Sequence, residues 1–374
     1  MFKSYISRRE WRNVILFALL IISSFGLSFR ADAQETKSEE LLYYLDGQMY
    51  LANVVTGKTI TLSGITVMGD DAYSWKWSPN GRYLLNNSYI SDSSKRFIRI
   101  YDVENQRWLK NINFSSGYYD AWSSDSMEFS YTKSVTVGKY ERGEIWIFNL
   151  ATGQKRFLYQ TVGGTNGDSD SWVSDMWWSP DDQHMLFNVY YPSTTGDRND
   201  IFLISTAGGT PSLFPAHSPT TLYALWSPDS KWIAFKIPQP FHPEHDFIGD
   251  LYVYSLDRNQ RYTLTNTIDV DEKNARWSSD SQQIQFESGN QLVTVNLQAV
   301  VDNPKSFEQT ATPLTKFEPF SHWQYPSPDG HFIAFLKHNP QNDLDLYVVQ
   351  PDGSGLTKLA TLKDLNFLGW RPSK

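Results

Sequence analysis

The chain has 374 residues, no Cys, 14 Trp, 21 Tyr and 22 Phe, and a net charge of −8. Without Cys there can be no disulfides, no Cys-ligated zinc and no thiol catalysis. No run of Lys or Arg occurs beyond the first dozen residues, so nucleic acid is a poor partner, because phosphate neutralisation needs a clustered basic face.

The N-terminus reads as a targeting segment. Lys3, Arg8, Arg9 and Arg12 precede an uncharged, mostly apolar run from Val14 to Phe29, and Ala31-Asp32-Ala33 follows. A positive start, a short apolar stretch and a small-residue site make a secretory signal peptide. We expect cleavage after Ala33, with an uncleaved anchor formed by residues 14–29 as the alternative; that run is slightly short for a membrane span. Removing residues 1–33 takes away five basic and two acidic residues and leaves 28 basic and 39 acidic ones, net −11. Such a chain would not cling to an anionic membrane surface. The expected organisation is a signal segment 1–33, a linker 34–40 and one domain over 41–374.

That domain is a repeat. Trp77-Ser78-Pro79-Asn80-Gly81 recurs as Trp122-Ser123-Ser124-Asp125-Ser126, Trp178-Ser179-Pro180-Asp181-Asp182, Trp226-Ser227-Pro228-Asp229-Ser230 and Trp277-Ser278-Ser279-Asp280-Ser281. Pro326-Ser327-Pro328-Asp329-Gly330 and Trp370-Arg371-Pro372-Ser373 complete the set, at spacings of 45, 56, 48, 51, 49 and 44 residues. That period matches a four-stranded blade. Ser-Pro-Asp-Gly is a tight turn in which Pro sets φ, Asp bonds nearby backbone and Gly takes a conformation other residues avoid. Nine residues after each of the first six Trp positions stand Asn86, Tyr131, Phe187, Phe235, Phe286 and Phe335, marking a second strand. Third strands alternate over Ile98–Asp102, Ile145–Asn149, Ile201–Ser205, Leu251–Ser255, Leu292–Asn296 and Leu346–Gln350. Large apolar residues at blade spacing fill the gaps between twisted sheets, so the repeated Trp and Asp residues are read as scaffold.

Residues 41–62 lack a Trp turn, but Gln48–Asn53 and Val54–Lys58 align with third strands and the turns after them. The C-terminal Leu365–Trp370 supplies a first strand and stops. Pairing the two fragments removes open edges. The expected fold is therefore all-β: a seven-bladed β-propeller of four-stranded blades, closed by N-terminal strands pairing with the C-terminal strand. The pattern resembles the TolB-type, WD40-like PD40 repeat, W-S-P-D-G…I-A-F…D-I-Y-V…G, over residues 41–374. The resemblance implies a fold shared with TolB, prolyl-oligopeptidase-like propellers and propeller lyases. The α/β domain that precedes the propeller in TolB is not expected here, so a TolB-like partner follows only by loose analogy.

Turns between first and second strands, and between third and fourth, share one face and are short. The other connections are longer: 91–96, 134–143, 161–171, 192–199, 238–249, 302–317 and 339–343. Long loops on a rigid scaffold are where binding sites lie, so this second face is expected to be the working face. Tyr140, Trp172, Tyr191 and Phe241 are candidates for an aromatic ligand platform. His242, Glu244 and His245 gather metal-type ligands in one loop, and Asp168 and Asp170 offer oxygen ligands without completing a known loop. His322 is a further candidate on this face.

No G-x-S-x-G and no H-E-x-x-H occur, and no second domain is read that would hold a catalytic triad. The expectation is a periplasmic or secreted binding module without a cofactor, taking an envelope protein, peptide or glycan. The membrane enters only through the N-terminal segment. The alternative is a metal-dependent, carbohydrate-active, lyase-like propeller using His242, His245 and a divalent ion.

Overall fold

The computed structural model describes residues 39–65, 75–90, 93–114, 120–163, 169–193, 198–215, 224–238, 248–267, 270, 272–288, 291–302, 311–313, 324–362 and 366–372. These form seven four-stranded antiparallel sheets, and the fold is a seven-bladed β-propeller. Blade 1 contains β1 (Glu40–Leu45), β2 (Gln48–Asn53) and β3 (Thr59–Thr61). Blade 2 is β4 (Trp75–Trp77), β5 (Tyr83–Ile90), β6 (Ser93–Asp102) and β7 (Arg107–Phe114). Blade 3 is β8 (Asp120–Trp122), β9 (Glu128–Val137), β10 (Tyr140–Asn149) and β11 (Lys155–Gln160). Blade 4 is β12 (Trp172–Trp178), β13 (His184–Tyr191), β14 (Arg198–Ser205) and β15 (Ser212–Leu213). Blade 5 is β16 (Ala224–Trp226), β17 (Trp232–Pro238), β18 (Gly249–Ser255) and β19 (Gln260–Thr263). Blade 6 is β20 (Glu272–Trp277), β21 (Gln283–Ser288), β22 (Gln291–Asn296), a short helix α1 (Leu297–Asp302) and β23 (Ala311–Pro313). Blade 7 is β24 (Gln324–Pro326), β25 (Ile333–His338), β26 (Leu344–Val349) and β27 (Thr357–Leu362); β28 (Asn366–Trp370) follows and joins blade 1.

The chain divides into two compact units, residues 1–73 with 320–373 and residues 74–319. In the first, β1 pairs antiparallel with β28, with Leu41 opposite Trp370 and Tyr44 opposite Asn366. Arg371 N donates to Glu40 O at 2.8 Å, and the two side chains form an ion pair at 2.6 Å. Trp370 Nε1 donates to Tyr325 O at 2.6 Å, tying this sheet to blade 7.

The second unit holds blades 2 to 6, and its core runs between neighbouring blades. Ile145, Ile147 and Leu158 of blade 3 pack on Met185, Phe187 and Val189 of blade 4. Ala234, Leu251 and Val253 of blade 5 pack on Ile284, Phe286 and Val295 of blade 6 and on Leu297 and Val300 of α1. The residues expected to mark second strands lie in them and are all buried: Asn86, Tyr131, Phe187, Phe235 and Phe286 here, and Phe335 in the first unit. Asn86, the one non-aromatic member, accepts from Arg99 Nη2 at 2.9 Å, and that guanidinium lies 4.5 Å from the Trp108 ring centroid. The tryptophan indoles couple blades: Trp226 Nε1 donates to Trp177 O and Trp277 Nε1 to Leu225 O, both at 3.1 Å, and Trp178 Nε1 to Ser130 Oγ at 3.0 Å.

The pentapeptide turn has the same wiring in the six copies that carry serine at the second position, Ser78, Ser123, Ser179, Ser227, Ser278 and Ser327. Ser227 Oγ donates to Asp229 Oδ1 at 2.6 Å and accepts from Trp232 N at 2.9 Å, while Asp229 Oδ1 also accepts from Lys231 N at 3.1 Å. The fifth residue is left-handed even where it is not glycine: Ser126, Asp182, Ser230 and Ser281 have φ of 63, 59, 61 and 60°. Left-handed backbone costs a non-glycine residue about 1–2 kcal/mol. A bond to the preceding blade offsets that cost. Ser126, Ser230 and Ser281 Oγ accept from Asn80, Asp181 and Asp229 N, each at 3.0 Å, and the Asp182 carboxylate takes both Ser124 N and Ser124 Oγ at 2.7 Å. Gly81 and Gly330 occupy the fifth position in two other turns and have no side chain for this bond.

Two loop expectations are corrected. Residues 134–143 are not an irregular loop: β9 and β10 pair through Tyr140 and Val137, leaving a two-residue turn with Gly138 at φ 65°, because alternating β-branched residues extend the ladder. The 302–317 segment does not lie wholly on the working face. Its start continues α1, between the third and fourth strands of blade 6, and β23 interrupts it. Strands also begin within 91–96 and 192–199, at Ser93 and Arg198.

The blade-to-blade bond sets a stability test. Ser230→Ala keeps the left-handed strain and loses the bond, so it should cost about 1–2 kcal/mol in urea unfolding. Ser230→Gly loses the bond but relieves the strain and should be close to neutral. Equal losses would show that the strain is not what the bond offsets.

Candidate functional site

The ends of blades 3 and 4 where the chain passes from one to the other are built around that link. Arg142 and Ser171 form a parallel bridge, with Gly143 N donating to Ser171 O at 2.8 Å and Ser171 N to Glu141 O at 3.0 Å. Thr161 Oγ1 accepts from Gly143 N at 2.9 Å and lies 2.7 Å from Ser171 Oγ. Arg142 Nη1 donates to Ser169 O and to Glu141 O. Arg142, Thr161 and Ser171 are all buried. Buried polar groups that are mutually satisfied rigidify their surroundings, so 169–172 is held firmly against β10.

Two glycines permit this approach. A Cβ on Gly143 would come within 2.8 Å of Val173 N, and one on Gly163 within 1.8 Å of Ser169 O. Neither requirement concerns φ; both come from backbone passing close by.

The knot presents an aromatic pair. Trp172 stands opposite Tyr190 across β12 and β13, and their rings stack at 5.8 Å with a 19° interplanar angle. Both are half-buried. Beside them the Tyr140 ring has Arg142 at 5.1 Å and Lys139 at 5.0 Å. Val137 and Val162 flank the same end and are 45% and 61% exposed. Trp172 and Tyr190 thus stack on each other, while Lys139 and the buried Arg142 lie over the ring of Tyr140.

The structure thus brings Tyr140 and Trp172 to one region through the Arg142–Ser171 bridge. Tyr191 points to the other face of β13 and is buried in the core with Val173 and Leu158. Burial, and then the nearby Asp200, push its phenol up to about 12; Arg198 lies 4.3 Å from its ring and pairs with Asp200 at 3.1 Å. Tyr190 takes the stacking place instead. One residue of strand register decides between the two, and β alternation from Trp172 does not reveal it without the pairing. Asp170 accepts from Glu141 N at 2.8 Å, a further tie between the linker and β10. Phe241, His242, Glu244, His245, His322 and Asp168 lie outside the described residues. Among the described residues, no group of three or more His, Asp or Glu is arranged to hold a metal ion.

Asp175 is a charged group that the sequence reading missed. The β12–β13 register shifts between Val173 and Asp175, a bulge at Ser174, and bulges re-aim side chains. Burial raises the Asp175 carboxyl to about 6, against the opposing effects of Lys76 and Ser174.

No family model matches the chain, and no curated protein matches it. Solved structures do. An oligogalacturonate lyase in complex with manganese matches at a TM-score of 0.59 and 15% identity, over 86% of this chain and 88% of that one. The β-propeller domain of the Trilobed protease from Pyrococcus furiosus matches at 0.54 and 15%, over 87% and 94%. The tricorn protease matches at 0.55 and 13%, over 88% of this chain; this chain spans only 35% of its length. Two TolB structures match at TM-scores of 0.46 and 0.44, with 15% and 21% identity. At these identities the likeness shows the fold alone: the chain shares the β-propeller fold with proteins of differing activity.

Gly163→Ala should cost about 1–3 kcal/mol, the scale of overpacking with backbone displacement, and Gly143→Ala less, since its closest approach is longer. Thermal unfolding measures both. An unchanged Gly163→Ala variant would mean that the linker is not held where described.

Proposed function

We propose that this chain is an exported binding module that takes a glycan or peptide on the aromatic end of blades 3 and 4. The observation that carries the reading is the Trp172–Tyr190 stack, held in place by the buried Arg142–Thr161–Ser171 knot. Rigid aromatic rings supply contact area at low entropic cost, and the buried knot keeps them in place before a ligand arrives. The scaffold roles of the repeated Ser, Asp and Trp residues leave those groups engaged in turns and blade contacts.

Export rests on residues 1–33 and their charge and apolarity pattern. No helix among the described residues is long and apolar enough to cross a membrane. Mass-spectrometric mapping of the N-terminus in the native host should find a chain starting at Gln34.

The binding reading is tested by capture from an envelope fraction and by glycan-array binding, with Trp172→Ala and Tyr190→Ala beside the wild type. Each variant should weaken capture at least about tenfold, since truncating a central aromatic anchor costs upward of 1.4 kcal/mol. Thermal unfolding should show both still folded. Recovery of no ligand by the wild type, or undiminished capture by both variants, would count against the reading. Manganese retained after dialysis, and lost on His242→Ala with His245→Ala, would favour the metal-dependent carbohydrate-active alternative, whose solved neighbour is described with manganese.

A further inference from the structure

The β9–β10 hairpin of blade 3 outruns the strand beside it. Its two strands have ten residues each and pair without a register shift, from Glu128 opposite Asn149 to Val137 opposite Tyr140. On the other side of β9, the three-residue β8 pairs with Phe129, Ser130 and Tyr131 and no further. Among the described residues, 134–137 thus have a strand partner on one side only.

The hydrogen bonds of β10 show which main-chain groups are left over. Gly143 N donates to Ser171 O and Gly143 O accepts from Thr161 N, both at 2.8 Å. Glu141 O accepts from Ser171 N at 3.0 Å, and Glu141 N donates to Asp170 Oδ1 at 2.8 Å. Gly143 and Glu141 therefore point their main chain away from β9. In an antiparallel ladder their partners, Ser134 and Thr136, then point theirs away from β10. Among the described residues, the N–H and C=O groups of Ser134 and Thr136 meet no protein partner.

Proteins ordinarily close such an edge with Pro, a bulge or an inward-pointing charge. Ser134, Val135, Thr136 and Val137 include none of these. Thr136 and Val137 are exposed. Thr136 Oγ1 donates to Glu141 Oε1 at 2.6 Å, so that hydroxyl and that carboxylate are engaged within the hairpin.

We propose that the 134–137 edge is a docking site for an extended peptide, which adds to β9 as a further strand. An extended backbone offers donors and acceptors at the two-residue repeat of Ser134 and Thr136. A second copy of the chain fits less well: so short an edge supplies far less than the roughly 1,200 Å² that a stable interface buries. Each copy also carries a net charge of −8, which sets copies against one another. Alternation places every second peptide side chain beside Val135 and Val137 and calls for apolar, β-branched residues there. Lys139 is exposed at the turn, whereas Lys133, at the other end of the edge, is paired with Glu144 at 3.9 Å. An acidic residue at the peptide end beside Lys139 completes the match. The linker at 169–171 and β10 stand between this edge and the Trp172–Tyr190 stack, so the two surfaces are separate.

A library of linear heptapeptides displayed on phage, panned on the full chain, supplies the probes, and synthetic copies are titrated against variants. Thr136→Pro removes an outward N–H and no bond of the β9–β10 ladder, a position where an edge strand tolerates Pro. It should weaken the selected peptides at least about tenfold. Thr136→Val, which keeps the N–H, and Trp172→Ala, on the separate surface, should bind them as the wild type does. A library that yields no binder, or binders indifferent to Thr136→Pro, overturns the proposal. Loss of binding in Trp172→Ala assigns the peptides to the aromatic stack and overturns it too. Dimerisation in sedimentation that Thr136→Pro abolishes gives the edge to a second copy and has the same force. Should Thr136→Pro fail to fold, the peptides are N-methylated at alternate nitrogens. One of the two alternate sets should then abolish binding, and retained affinity with both sets overturns the proposal.

Discussion

The structure of blades 2 to 6 depends on one small hydrogen-bonded turn. A serine hydroxyl caps its own strand, an acidic or amide side chain closes the turn, and the next residue enters the left-handed region. In an isolated hairpin, a serine or aspartate at that φ would be strain without return. Here the side chain forced outward meets the backbone N–H of the preceding blade's turn. Local strain is thereby exchanged for a contact between sheets. The indole bonds of Trp178, Trp226 and Trp277 act in the same sense, from each first strand to the blade before.

A frame fixed at one face leaves the opposite end of each sheet free to differ. Blades 3 and 4 use that freedom to draw a linker against β10 through a buried polar knot and to set a stacked aromatic pair on top. Blades 5 and 6 use a related threonine contact, Thr265 to Leu251 N where blade 3 has Thr161 to Gly143 N. There they bury the Glu272 carboxyl and the Lys236 ammonium instead of presenting rings. One repeat position thus supports an apolar surface in one place and a titratable group in another. The difference lies in what the neighbouring linker residues bring: Ser171 and Trp172 in one case, Glu272 in the other.

Much of this was legible beforehand. The repeat spacing and the nine-residue offset from Trp to Phe187, Phe235 and Phe286 mark buried strand positions because a four-stranded sheet of fixed length repeats its own geometry. The scaffold role of the Asp residues was also readable, since Asp in a tight turn bonds backbone nearby. What was misread at 134–143 was the length of a hairpin: alternation continues through Val135 and Val137, and a two-residue turn carries few signals beyond Gly138. Only a register marks the choice of Tyr190 over Tyr191, and register is a relation between strands.

The sequence by itself determined the class of fold, the number of blades and the residues that fill them, because these follow from short-range turn chemistry and a strict period. It did not determine which side chains meet at the ends of the blades. Stacking of Trp172 on Tyr190, the close passage beside Gly143 and Gly163, and the shared hold of Thr267 on Asp250 and Glu272 were decided only by tertiary structure. Each joins segments whose relative position is set by inter-strand pairing and blade packing, and such contacts leave no periodic trace in the chain.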